Sequence, residues 1–412
     1  MSQVSKPTPQ TDEEDVPKGI QLISVSPAFR EDPYPILDKV MAHGPILADM
    51  EFGRYFVTGH DLVKELIRDR RLGVDPRKSL PDSYVRKLYA EDDTLIMLFQ
   101  DDPDHKRLRR FVNQVFNAEQ IEAMRAYTEE TVDRLLGAME GKSEVDIIRE
   151  FADYFPMYVI AKMLGADVDQ PERFKVLTAD VLLNYDPFRS AEMEARYRAA
   201  WAALWEYFDG LITERRARPQ DDMITKLIDA RQGEDRLTQD EIILTCMLML
   251  TAGNVTTTDL FGNGLLALLK HPDQLARLKA DPGLIDNAIE EMLRIDGPIT
   301  DTTRLPLEDI VVNGCPMEKG RTITLSLASV GHDPSVNPDP YRFDITRQNI
   351  THMAFGGGVH KCLGSPLARM EIAIALLKLL ERFPNIALTE HPPVRRQLPF
   401  FRGLRSLIVR LA

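Results

Sequence analysis

The sequence is poor in cysteine, in tryptophan and in positive charge. Three cysteines in 412 residues, Cys246, Cys315 and Cys362, exclude a disulfide framework for a chain of this length and fit a reducing cytoplasm. Lys and Arg number 51 against 64 Asp and Glu, a formal charge of −13. That argues against a nucleic-acid partner, because phosphate binding needs a basic face. Long apolar runs are missing too. Acids, Thr and Gly interrupt each one short of the roughly 18 residues that cross a bilayer, so no membrane anchor is expected. Residues 1–18 are polar, acidic and proline-bearing, with no hydrophobic signal core. They read as a disordered tail ahead of one domain at 19–412.

What the chain does have is one cysteine in an unusual setting. Residues 355–364 run Phe-Gly-Gly-Gly-Val-His-Lys-Cys-Leu-Gly, and an apolar helix opens at Ser365. A thiolate at a helix mouth is stabilised by the positive helix end and its free N–H groups. Such a thiolate is a nucleophile, a zinc ligand or a haem-iron ligand. Zinc needs further ligands close by, which the other cysteines do not supply. Glycine crowding suits a large flat cofactor better than a small acyl group.

Other stretches carry chemistry as well. In Asp102-Pro103-Asp104-His105 and onward, His105 and Arg109 share a helical face. Residues 240–271 form the longest helical pattern. Inside it, residues 250–259 read Leu-Thr-Ala-Gly-Asn-Val-Thr-Thr-Thr-Asp. Glycine and three threonines weaken a helix, so a local opening is expected there, with a hydroxyl holding water or replacing a backbone carbonyl. Glu291 and Arg294, three apart, pair on one face.

The pattern F-x-x-G-x-H-x-C-x-G resembles the haem-ligand loop of the cytochrome P-450 family, and the other motifs follow in family order from about Asp32 to the C-terminus. The resemblance implies a mainly α fold with small β-sheets and haem b between a long central helix and the cysteine-loop helix. Cys362 would ligate the iron. His105, Arg109, Arg304 and His360 would hold the propionates, with Phe355 and Gly364 completing the loop. Ala252, Gly253 and Thr256 would lie over the other haem face. Glu291, Arg294 and Arg342 would form a structural triad. Leu95, Leu98, Leu248, Ala252, Thr300, Thr302 and Phe400 are the expected substrate contacts. For residues 95–99, as for the lid positions Leu177, Val181 and Leu182, core packing explains the sequence equally well.

One departure stands out: Val255 replaces the acid that ordinarily precedes the family's threonine. The expected catalytic residues are therefore Thr256 with ordered water, Asn254 to orient it and Asp259 to feed it. By resemblance to the soluble bacterial kind, a monomeric cytoplasmic enzyme would put one atom of O2 into a hydrophobic small molecule. Electrons would come from a ferredoxin and its reductase, docking near Lys106, Arg107, Arg110 and Lys361. Three rivals remain. A nitric-oxide-reducing enzyme driven directly by NAD(P)H would use Arg77, Lys78, Arg86 and Lys87. A peroxide-driven oxygenase and a non-enzymatic haem ligand-binding protein are the others.

Overall fold

Thr238 starts the central helix, Gln239–Lys270, in the computed structural model, which describes residues 16–89 and 95–411. Its hydroxyl accepts from the N–H of Glu241, whose carboxylate accepts from the N–H of Thr238, so two otherwise orphaned donors are satisfied reciprocally. The helix runs unbroken through the expected weak point. Helices Phe155–Leu164, Pro171–Val181, Ala191–Ala217, Ile285–Asp296 and Ser365–Arg382 pack around it. A helix covered on nearly every side is apolar nearly all round. This corrects the expectation that every apolar run is short. The segment is long and apolar enough to cross a membrane by composition, yet 67% of that window is buried inside the fold.

The main sheet has five strands in the order Ile46–Asp49, Arg54–Val57, Thr322–Ser326, Asp301–Pro306 and Leu72–Gly73. Only the Arg54–Val57 and Thr322–Ser326 pair is parallel. A short hairpin, Val394–Arg395 with Leu404–Ser406, folds back near the C-terminus. Of the expected tail, residues 1–15 lie outside the described residues. Val16 is not a tail residue: it is buried with Leu22, Phe29 and Leu37.

Behind the cysteine segment sits a fully buried ion pair. Arg294 donates from Nε and Nη2 to the two oxygens of Glu291 at 2.7 and 2.8 Å, and both side chains are fully buried. The remaining guanidinium hydrogens go to the carbonyls of Gly331, Pro340 and Arg342. The expected third member is wrong. The Arg342 side chain points outward to Asp344, and it is Arg347 that reaches Glu291, at 3.4 Å. The chain turns at Arg342, so its carbonyl enters the network while its side chain leaves. Truncating either Glu291 or Arg294 strands a buried charge, with an expected cost of about 3–5 kcal/mol. Arg342→Ala should stay within about 0.5 kcal/mol as an exposed substitution. Denaturant midpoints of the three variants check the assignment.

Candidate active site

Cys362 lies just before the N-terminus of the Ser365–Arg382 helix, where the N–H groups of Gly364 and Ser365 point at its sulfur. The Cys362 N–H donates to the Phe355 carbonyl at 2.9 Å and closes the loop. Sγ is solvent-accessible but walled by protein. Burial pushes the thiol up, while the two N–H groups, Arg109 and Arg369 pull the other way. The loop glycines serve packing as much as cofactor approach. Gly358 has φ of +66°, and a Cβ there would meet the Ile67 carbonyl at 2.6 Å, so only glycine fits.

Four nitrogen-bearing side chains converge beside this loop. His105, on helix Asp104–Val115, lies with its ring 4.0 Å from that of His360, and its Nδ1 has no hydrogen-bond partner among the described residues. Arg109, one turn on, donates to the Lys361 carbonyl at 2.8 Å. Arg304, buried on its strand, donates to the Thr303 carbonyl and to Thr302 Oγ1. Burial holds Arg304 down at about 10. Burial, helped by His105, Arg304 and Arg109, holds His360 down at about 3. Burial likewise lowers Arg109 and His105. Such a cluster is poorly compensated by the protein, and a buried carboxylate pair would relieve it. The donor set therefore fits a flat macrocycle with two acidic arms, seated on Cys362.

The central helix, which packs against the Ser365–Arg382 helix, carries the other expected residues. Ala252 is exposed and Thr256 half-buried, and the Thr256 hydroxyl donates to the Ala252 carbonyl at 2.8 Å. Gly253 backs onto Ile160. Leu248, one turn before Ala252, is partly buried. Asn254 is buried. Its Nδ2 reaches Thr178 on helix Pro171–Val181 at 3.5 Å, so it does not orient a water beside Thr256. Position 254 lies two residues from Ala252 and Thr256, which puts it on another helical face. Asp259 is fully buried, 3.0 Å from Arg396.

The expected substrate contacts divide. Thr302 is half-buried and accepts from Arg304. Thr300 is not available, because its hydroxyl is engaged by Asp301 and the Phe400 carbonyl. Phe400 sits at a strained φ of +68° at the hairpin tip. Its ring lies 6.0 Å from Tyr84 and 6.2 Å from Tyr185, tying the tip to two neighbouring segments. Leu95 is buried while Leu98 is exposed.

Three residues were missed from sequence. Arg369 stacks over the Phe355 ring at 4.5 Å and pairs with Glu290 at 2.5 Å, steadying the cysteine loop from the side. Glu371, on the same helix, is fully buried beside Thr257, and burial raises its carboxyl well above the usual range. Arg396, the partner of Asp259, sits after a break in the hairpin register. Arg369 and Glu371 are charged residues inside the apolar helix that opens after Cys362, a signal that was there to read.

A thiol at a helix mouth with a buried cluster of nitrogen-bearing side chains beside it is the donor set of a haem-thiolate site. The cytochrome P450 family profile matches residues 47–282 and 283–400. The chain is 36% identical over 389 residues to the biotin biosynthesis cytochrome P450 of Bacillus subtilis, covering 94% of this chain and 98% of the relative. It is 35% identical to the cytochrome P450 monooxygenase PikC of Streptomyces venezuelae, covering 96% and 94% respectively. Among solved structures, myxobacterial CYP267B1 with myristic acid superposes with a TM-score of 0.87 at 35% identity, over 94% of this chain and 98% of that one. The protein belongs to the cytochrome P450 family and is a monooxygenase.

Removing one cation from the rim should loosen the cofactor. Arg304→Met is expected to speed haem transfer to a scavenging apoglobin by about tenfold or more, because a charge-assisted contact is worth about 1.5–3 kcal/mol. Thr300→Val should leave that rate unchanged.

Proposed function

We propose that this monooxygenase acts in the cytoplasm as a monomer on an apolar small molecule, with electrons from a ferredoxin and its reductase. The observation that carries the reading is the Cys362 thiol at its helix mouth, with His105, Arg109, Arg304 and His360 gathered beside its loop. Haem b bound there would supply activation of O2 and transfer of one of its atoms to a C–H or C=C bond. The chain does the rest. The N–H groups of Gly364 and Ser365 set the electron donation of the sulfur as hydrogen-bond donors. Ala252 is small and exposed on the central helix, and the Thr256 hydroxyl is held by the carbonyl of that residue. Phe400, expected among the substrate contacts, is half-buried and packs on Tyr84 and Tyr185, and an aromatic contact of that kind favours an apolar guest.

The face outside the cysteine loop supports an acidic redox partner. Val359 is 61% exposed beside Lys361, and Lys106, Arg110 and Arg68 are exposed nearby along the chain segments that flank the loop. An apolar centre in a cationic surround is a fit for an acidic docking face. Arg107, expected to contribute, does not: it is paired with Asp235 and Glu241. The basic run needed for direct nicotinamide use is likewise spent in part, Arg77 on Asp75 and Lys78 on Asp101.

With a [2Fe–2S] ferredoxin, Lys361→Glu and Val359→Asp should each slow reduction of the haem by about tenfold, and rising salt should slow the parent protein. Rates indifferent to salt and to both substitutions reject the partner. Reduction by NADH without any protein partner, with consumption of nitric oxide, would put the nitric-oxide reading in its place.

A further inference from the structure

Val255 occupies the place where an acid would stand, and its surroundings are dry. It is buried against Leu182 and Leu398, with Tyr185 and Phe401 at the edge. No proton enters there. One turn further on, Asp259 is fully buried, and neither carboxylate oxygen makes a hydrogen bond among the described residues. Its nearest charged neighbour is Arg396, with Nη2 3.0 Å from Oδ1. The carboxyl has room only because residue 403 is glycine: a Cβ on Gly403 would come within 1.8 Å of Oδ1.

Arg396 and Gly403, which flank Asp259, line a cavity of about 10 Å³ together with Ser24, Thr300 and Arg395, while Asp259 itself lies behind them. Such a volume is the size of one water site. Two further buried polar atoms, Ser24 Oγ and Arg396 Nε, also lack partners among the described residues. Unsatisfied buried polar groups that line one small cavity call for water. Arg396 is 22% exposed along its side chain, so it spans the distance from solvent to the carboxyl.

We propose that protons reach the oxygen side of the central helix from the C-terminal hairpin, past Arg396 and a water in this cavity, to Asp259 and then Thr256. The proposal rests on the monooxygenase function and replaces the route that Val255 blocks. A proton arriving from solvent is relayed by a water in the cavity, past Arg396 and Gly403, to the Asp259 carboxylate, and the water is left neutral. Asp259, three residues from Thr256 and so its neighbour on the helix surface, passes that proton to a water held by the Thr256 hydroxyl. One proton enters, one leaves, and Asp259 returns to the carboxylate. No electrons change hands. The charged groups facing Asp259 are Arg396 and Arg395 on the hairpin and Asp153 before helix Phe155–Leu164. Burial raises its carboxyl to about 6 against the pull of the two arginines, and Asp153 adds to the rise. A group in that range exchanges protons readily near neutral pH.

The test begins with infrared titration of the holoprotein in H2O and D2O, which needs no turnover. A carboxyl band titrating at about 6 is expected, lost in Asp259→Asn and moved to higher pH in Arg396→Met. If that band is absent, or survives Asp259→Asn, the path is refuted even if the enzyme turns over normally. If the band behaves as described but no substrate is oxidised by any donor, the function fails and the path stands. In the working enzyme, Asp259→Asn should raise the solvent isotope effect several-fold and divert electrons to peroxide. Arg396→Met should do the same to a lesser degree, while Arg396→Lys restores the parent pattern. Unchanged isotope effect and coupling in both Asp259→Asn and Arg396→Met overturn the proposal. Should Asp259→Asn fail to take up haem, Arg396→Met and Arg396→Lys decide alone.

Discussion

Gathering four nitrogen-bearing side chains beside one thiol, in a protein whose net charge is −13, is the constraint on which the rest of the structure depends. His105, Arg109, Arg304 and His360 come from a helix, a strand and the cysteine loop. Burial disfavours the charged form of each, and their mutual repulsion adds to the effect on His360. Among the described residues Asp101, Asp102 and the Cys362 sulfur offset this only in part. The arrangement is sensible as half of an ionic contact. The apoprotein should therefore be strained at this point, and binding of a dianionic cofactor becomes part of folding stability. The net charge of the chain conceals the cluster completely, because a sum over the surface says nothing of a few buried groups.

A scaffold that crowds like charges needs rigid supports, and the supports lie one layer out. Glu291 and Arg294 knit the Ile285–Asp296 helix to the carbonyls of residues 331, 340 and 342. Arg369 clamps Phe355 and Glu290. Glu290, pushed up by burial, is nevertheless held at about 2 by Arg369 and His352. These contacts fix the loop carrying Cys362 without touching the space above it. Rigidity is placed on the sulfur side.

Much of this was legible because each motif completes its chemistry within one or two turns of chain. The cysteine and its helix mouth, His105 with Arg109, and Glu291 with Arg294 are local patterns, and the structure brings each together as expected. Misreadings arise where the partner is distant in sequence. Arg342 and Arg347 are both arginines in one loop, and only the path of the turn decides which one reaches Glu291. Asn254 looks like an active-site residue until helix Pro171–Val181 is placed beside it. Thr300 lies just before strand Asp301–Pro306 and Thr302 within it, and only the fold decides that Thr302 meets Arg304 while Thr300 turns to Asp301. The unbroken central helix is a further case. Tertiary packing on every side outweighs the low propensity of Gly253 and the three threonines.

The exchange of an acid for Val255 is explained by what surrounds it. An acid at that point would be buried among Leu182, Leu398 and Phe401 without a partner, an arrangement that drives a carboxyl to stay neutral. Valine instead completes a dry wall between the lid turn and the hairpin. The acidic function then has to lie where a cation and a water site are available, and on the described surface of this helix that place is the Asp259 turn, opposite the missing side chain of Gly403. The other buried acid near the helix, Glu371, has Thr257 beside it but no arginine among its charged neighbours. It stays neutral far more firmly than Asp259. Of the two, only Asp259 is balanced between burial and opposite charge, and that balance is what lets a carboxyl both take and release a proton at neutral pH.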